Sequence, residues 1–512
     1  MSYLMGIDVG TTGTKTLLID DTGKVLASAT SEYPMYTPRP LWAEQDPEDW
    51  WRAAVFSTRQ VLKESGIDAS EIAGIGLTGQ MHGMVMLDAA GQVLRPCIMW
   101  NDQRTATQCE WIMNTVGRQR FLDLTLNRAL PGFTAPKIIW TRENEPAVYA
   151  QAAKVLLPKD YIRYRLIGVY ATEVSDASGT VLLDVRNRRW SEEVLSELGI
   201  PRDWMPECVE SIVVTGEITA EVAEMTGLKK GTPVVGGGGD QAASAVGTGI
   251  VEPGLVSVTM GTSGVVFAYT ETPSRDAEGR LHTFCHAVPD KWHVMGVTLS
   301  AGGSFRWFRD TLGAAEKNIA ALSHVDPYVI LTSEAQQAPA GSEGLLFLPY
   351  LTGERTPYAD PDARGAFVGL TLRHDKRHMV RSVLEGVAYS LRDCIELFRD
   401  MAIPIQQVRA VGGGARSDVW RQIMADVFGT ELVTINVTDS TAYGAALLAG
   451  VGSNVYASVP EACATSIRIT DRIEPIAANL TVYNEYYPVY QTLYHALEPA
   501  FSAISATDQG YA

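Results

Sequence analysis

Asp240 follows four consecutive glycines, Gly236–Gly239, in the stretch GTPVVGGGGDQAASAVG. Glycine lets a backbone approach a ligand or another chain segment closely. A carboxylate set there can take a proton from a substrate hydroxyl, or it can cap the helix that QAASAVG suggests. The residues alone leave both readings open. Asp8 is the second carboxylate of interest. It lies in the apolar run YLMGIDV, two residues before the turn Gly10-Thr11-Thr12-Gly13. A carboxylate in such a strand must be solvated, paired or close to a cation. Beside phosphates that cation is naturally Mg²⁺, which takes oxygen ligands and keeps several waters.

Two further small-residue turns accompany the first, Gly261-Thr262-Ser263-Gly264 and Gly412-Gly413-Gly414-Ala415. Each can turn backbone N–H groups toward an anion. One such turn alone reads as a tight bend; three of them, two sharing a pattern, point to phosphate. Lys15 is a candidate phosphate ligand, with strand alternation toward solvent as the competing reading. His82, in GQMHG after an apolar strand, offers a directional hydrogen bond to a hydroxyl. His282, Cys285 and His286 alternate with apolar residues in LHTFCHAVPDKWH and read as buried strand, not as a metal pair. The stretch GTTGTKT lacks the spacing of a GxxxxGK[ST] phosphate loop. Gly74, Gly76 and Gly79 form a GxGxxG, but QMHGMVMLD follows as loop and strand, so the helix of a dinucleotide site is missing.

The elements that position these residues are readable from pattern. The opening segment, to about Pro34, reads as a meander of antiparallel strands with Gly/Thr and Asp-Thr-Gly turns. DPEDWWRAAVFSTRQVLKESG reads as a helix with Pro47 near its start and Gly66 past its end. TEVSDASGTVLLD reads as loop and strand. Near residue 250 the opening logic returns: VSVTMGTSGVVFAY repeats IDVGTTGTKTLLID, so two domains of one plan are expected, 1–250 and 251–512. VRAVGGGARSDVWRQIMADVFG reads as strand, glycine loop and helix. A long amphipathic helix spans 377–401, and Tyr483, Tyr486, Tyr487, Tyr490 and Tyr494 recur at helical spacing near the end. With few basic residues among them, these rings read as packing.

The chain has 512 residues and a formal charge of −17. A net acidic surface argues against nucleic-acid binding, and no apolar run reaches the length of a membrane span. Six scattered cysteines without a CxxC pair fit reduced thiols in the cytoplasm.

Over almost its whole length the sequence resembles the FGGY carbohydrate kinases. The motifs are GIDVGTTGTK, PLWAEQDPEDWW, GQMHG, WNDQR, LPGFTAPKIIWTRENEP, LLPKDYIRYRLIG, SDASGT, MGTSG, GERTPYADPDARGAFVGLTLRH and VGGGARSDVWRQIMAD, in order. GQMHG and FTAPK are similar to the xylulose-phosphorylating subgroup. The resemblance implies an α/β fold of two ribonuclease H-like domains, as in actin, hexokinase and the heat-shock ATPases, with the active site in the cleft between them. It implies ATP-dependent phosphorylation of D-xylulose, or the same chemistry on ribulose, a pentitol or gluconate. Asp240 is then the base, and Asp8, with Asp240 through water, places Mg²⁺. Met81, His82 and Gln241 face the sugar. Thr11, Thr12, Gly13 and Lys15, with Gly261, Thr262, Gly302, Gly413, Gly414 and Asp418, hold ATP. Relatives often carry Asn after the base, where this chain has Gln241, and they often form homodimers. An actin-like nucleotide switch is the rival from another class.

Overall fold

The computed structural model describes residues 2–509. Its centre is a pair of seven-stranded sheets of similar plan. The first contains β1 (Tyr3–Val9), β2 (Gly13–Asp20), β3 (Val25–Glu32), β4 (Ile72–Gly79), β5 (Val214–Glu217), β6 (Pro233–Val235) and β7 (Gly238–Gly239). Its order is β5-β6-β4-β1-β2-β3, with β7 paired to β4. The second contains β8 (Gly254–Met260), β9 (Gly264–Thr270), β10 (His282–Cys285), β11 (Trp292–Thr298), β12 (Ile405–Gly412), β13 (Glu431–Ile435) and β14 (Ile469–Ile473), in the order β10-β11-β9-β8-β12-β13-β14.

In each sheet an antiparallel hairpin, β1–β2 or β8–β9, runs beside a parallel neighbour, β4 or β12. The internal repeat is therefore architectural. The hairpins form because apolar residues alternate onto buried faces and the small turn residues tolerate the reversal.

Helix α1 (Pro47–Ser65) starts at Asp46, whose side chain accepts from the Glu48 amide, and ends at Gly66 in the left-handed region. α2 (Pro158–Ile167) follows. The stretch expected as loop and strand at 172–183 contains instead a short helix, α3 (Val174–Ser178). Its propensity is weak, but the Glu173 carboxylate accepts from the amides of Ser175 and Asp176 and so ties down its first turn. Later helices are α4 (Asp240–Thr248), α5 (Gly302–Thr311), α6 (Pro327–Gln336), α7 (Lys376–Asp400), α8 (Asp418–Phe428), α9 (Ser440–Gly452) and α10 (Ala477–Gln509). The tyrosines of α10 pack into the core beside α7, with Tyr483, Tyr487, Tyr490 and Tyr494 all buried. No described helix is long and apolar enough to cross a membrane.

Although α9 comes late in the chain, it lies on the first sheet. A Cβ at Gly6 or Gly76 would stand 1.9 Å from the carbonyl oxygen of Ala442 or Ala445. Gly74 and Gly76 of the GxGxxG thus serve helix-on-sheet contact, while Gly79 packs against Val9 and Lys159. α9 also crosses α4 at backbone contact: a Cβ at Gly247 would meet the Ser440 oxygen at 1.9 Å, and one at Gly444 the Ala243 oxygen at 1.8 Å. This crossing sits between the two sheets.

Candidate active site

Asp8, on β1, pairs in register with Lys15 of β2, and the Lys15 ammonium lies 2.6 Å from Asp439 Oδ1 just ahead of α9. Lys15 therefore shares a face with Asp8 and points at a carboxylate of the second half, not away to solvent. Asp8 Oδ1 is buried and accepts no hydrogen bond from the protein. Burial pushes the Asp8 carboxyl up to about 7, the negative charge of Asp240 adds to this, and Lys15 opposes it. Asp240 is the first residue of α4. Gly239 occupies the cap position, and Asp240, one residue in, accepts from the Gln241 amide in the first turn. Burial pushes Asp240 up to about 6, against the N–H groups of Gln241. Such a carboxyl is ionised at neutral pH yet basic enough to accept a proton.

The glycines before Asp240 answer to packing. Gly237 has φ +71°, and a Cβ there would stand 1.8 Å from the Leu77 oxygen. Gly238 and Gly239 pair with Thr78 and Gly79 of β4. Met81, buried, lies against Gly239.

His82 has φ +70°. Its carbonyl is clamped by Lys137 Nζ at 2.8 Å and Thr134 Oγ1 at 3.1 Å, which accounts for the FTAPK motif. Its Nδ1 lies 2.8 Å from the Gly179 carbonyl. A carbonyl only accepts, so Nδ1 carries the proton. Burial holds the ring well below its usual pKa and hence neutral. Nε2 is left as an acceptor, a match for a sugar hydroxyl. Phe133, with ring centroids 4.5 Å apart, and Phe284 at 6.2 Å wall the imidazole.

The first glycine-threonine turn is held by its oxygens. Gln45 Nε2 donates to the Thr11 carbonyl at 2.7 Å, Tyr33 Oη to Gly10 at 2.5 Å and Trp100 Nε1 to Thr11 Oγ1 at 3.0 Å. The amides of Thr11 and Thr12 find no acceptor among the described residues. The second turn is built alike: the Gly261 and Thr262 carbonyls accept from Gly302, Ala301 and Gly303, while the Thr262 and Ser263 amides find no acceptor among the described residues. Paired free amides at a strand reversal suit phosphate oxygens.

A cleft of about 370 Å³ opens beside the second turn. Gly261, Thr262, Gly302, Gly413 and Gly414 line it, as expected from the sequence, together with Phe305, Arg306, Tyr328, Val329 and Trp420. An apolar slot next to an amide-rich turn accepts a purine with its phosphates. Asp418 is the exception: it does not line this cleft but is 85 % exposed on α8 and bonded to Arg421. The helix start that places it also turns its side chain outward. Arg306 and Tyr328 had no local signal, since the slot is assembled from segments far apart in sequence.

Models of the FGGY family of carbohydrate kinases match the chain twice, the N-terminal domain over residues 3–247 and the C-terminal domain over 256–453. The chain belongs to this family. It is 40 % identical to the xylulose kinase of Bacillus subtilis (strain 168), over 96 % of this chain and 97 % of that one. It is 41 % identical to the xylulose kinase of Escherichia coli (strain K12), over 97 % and 99 %. A crystal structure described as a xyloylose kinase from Brucella ovis superposes with TM-score 0.89 at 38 % identity, covering 97 % of this chain and all of that one. A gluconokinase of Bacillus subtilis is 34 % identical over 99 % of both chains. This FGGY chain is thus a sugar kinase with the ribonuclease H-like actin/hexokinase fold, and its phosphoryl donor is ATP.

Among the described residues no cluster of three or more His, Cys, Asp or Glu could hold a metal ion. A hydrated cation needs only one or two carboxylates when phosphates supply the rest. Asp8, with its unpartnered buried oxygen, and Asp240 beside it fit that requirement.

Proposed function

We propose that this kinase phosphorylates D-xylulose to D-xylulose 5-phosphate. The observation that carries the reading is the placement of Asp240: a buried carboxylate at the start of α4, preceded by Gly239 against Met81 and close enough to Asp8 for its charge to raise that carboxyl. Asp240 takes the proton of the attacking hydroxyl as its oxygen bonds to the γ-phosphorus. The bond from that phosphorus to the bridging oxygen breaks, and ADP leaves. His82 Nε2 accepts from a sugar hydroxyl and fixes the sugar's orientation. The free amides of the two glycine-threonine turns receive the phosphates, and Phe305, Tyr328 and Trp420 flank the base. Asp8 and Asp240 would hold Mg²⁺, which would supply charge neutralisation at the phosphates. Holding the reactants in line and stabilising charge is most of what this reaction asks of a protein.

The test is ADP release from Mg-ATP against D-xylulose, D-ribulose, pentitols and gluconate. The highest kcat/KM is expected with D-xylulose. Gluconate is included because a gluconokinase is among the relatives and Gln241 is longer than the Asn expected after the base. A higher kcat/KM for any other substrate would replace the xylulose reading while leaving the base and turns in their roles.

A further inference from the structure

Helix α3 touches both ends of the site. At its start, Ser175 Oγ accepts from the Gly239 amide at 3.0 Å, immediately before Asp240. At its end, the Gly179 carbonyl accepts from His82 Nδ1 at 2.8 Å. Four residues of helix-like backbone rise about 6 Å, the scale of a short sugar chain. Packing leaves little slack: a Cβ at Gly179 would stand 2.5 Å from His82 Nδ1.

A buried charge network fixes α3 in turn. Ser175 Oγ donates to Glu173 Oε1 at 3.0 Å, and Glu173 Oε2 accepts from the Ser175 amide and from Ser211 Oγ. The Ser211 carbonyl accepts from the Gly237 amide, and Arg163 Nη1 donates to the Gly236 carbonyl at 2.9 Å. Lys159 lies within 2.7 Å of Asp160, 3.2 Å of Asp176 and 3.4 Å of Glu173. All five charged residues are fully buried. Two cations thus face three carboxylates. Burial raises Asp176 well above its usual range; Lys159 opposes this, and Asp160 and Glu173 add to it. A buried network of this kind defines position more than it adds stability.

We propose that α3 is a spacer that sets the separation between Asp240 and His82, and that Ser175 is the positioning residue that aims Asp240. This rests on the reading of Asp240 as the base. Loss of the Ser175 hydroxyl frees the Gly239 amide and lets Asp240 swing, which harms the transition state more than the ground state. Ser175→Ala should then lower kcat with D-xylulose by about 10- to 100-fold while sugar KM changes by less than about threefold. Ser175→Thr, which keeps the hydroxyl, should restore most of it. In an Asp240→Asn background Ser175→Ala should add little, because it acts through Asp240. Amide hydrogen exchange at 236–240 should rise in Ser175→Ala at unchanged global stability.

An unchanged kcat, a parallel fall in kcat and stability, or full additivity with Asp240→Asn would each overturn the proposal. A wild-type protein that phosphorylates none of the sugars would overturn the functional reading instead. The exchange measurement then judges the clamp by itself, and unchanged protection at Gly239 would sink it too.

Discussion

Asp240 has no ion-pair partner among the described residues, and its only hydrogen-bonding neighbour that bears on its charge is the adjacent Gln241, so little in the fold depends on that charge. Asp240→Asn should lower kcat by about 10²- to 10⁴-fold, the usual worth of a general base, with folding intact. Coupled ADP assay and a thermal melt check both parts; near wild-type turnover would remove Asp240 from its role. His82 is a different case. Its neutral ring offers Nε2 as an acceptor, so its loss weakens ground and transition states alike. His82→Ala should raise the sugar KM by about tenfold, one hydrogen bond's worth, with a smaller change in kcat. A kcat effect larger than the KM effect would make the imidazole part of the chemistry.

At the scale of elements, two contacts carry predictions. The α4–α9 crossing leaves no room for a side chain, so Gly444→Ala must push the helices apart. Its Cβ would stand 1.8 Å from the Ala243 oxygen, and overpacking of this kind costs about 1–3 kcal/mol. A lowered melting temperature is expected; an unchanged one would mean the crossing yields freely. The second contact joins α7 to α10. Asp393 accepts from Tyr487 Oη at 2.6 Å, its Oδ2 is buried without a partner, and burial pushes it up to about 7. Its folded pKa lies above the unfolded one, so the native state holds a proton that the unfolded chain has released. That stability is present in full below the unfolded pKa near 3.8 and is lost as pH rises through about 7. One such group contributes a slope of at most about 1.4 kcal/mol per pH unit. Urea midpoints should fall less steeply over this window in Asp393→Asn than in the wild type. The same elements show what pattern alone can reveal. The two hairpins and α1 were legible because alternation, small turn residues and caps are local signals. The Asp8, Asp240 and His82 positions were legible through motifs that sit on those signals. Helix α3 was not: at five residues it is too short to show a helical period, and its cap is Glu173 and not the usual Ser, Thr, Asp or Asn. The place of α9 on the first sheet, the walls of the cleft beside the second turn and the outward turn of Asp418 depend on contacts between distant segments, and no local period encodes them.

For the whole molecule, the site is divided between the two sheets, which are joined by the α4–α9 crossing and by a core that continues from Met81 and Phe133 to Phe284 and Met295. Asp8, Asp240, His82 and the first free-amide turn stand with the first sheet, while the second turn and the cleft proposed for the nucleotide stand with the second. The proposed mechanism needs all of them within bonding reach of one triphosphate and one hydroxyl, so on that reading ligands that touch both halves favour a closed arrangement. The Lys15–Asp439 pair already ties β2 to the start of α9, and at 31 % and 38 % exposure it is a weak tie that can give. Sugar and a non-hydrolysable ATP analogue together should therefore compact the molecule in small-angle scattering, and either alone should do so less. Closure would also exclude water from the γ-phosphate, so ATP hydrolysis without sugar should stay far below sugar-dependent turnover. Identical scattering profiles with and without both ligands would mean the two halves are already at their working distance. The spacing set by α3 would then have to be matched by ATP in a fixed cleft.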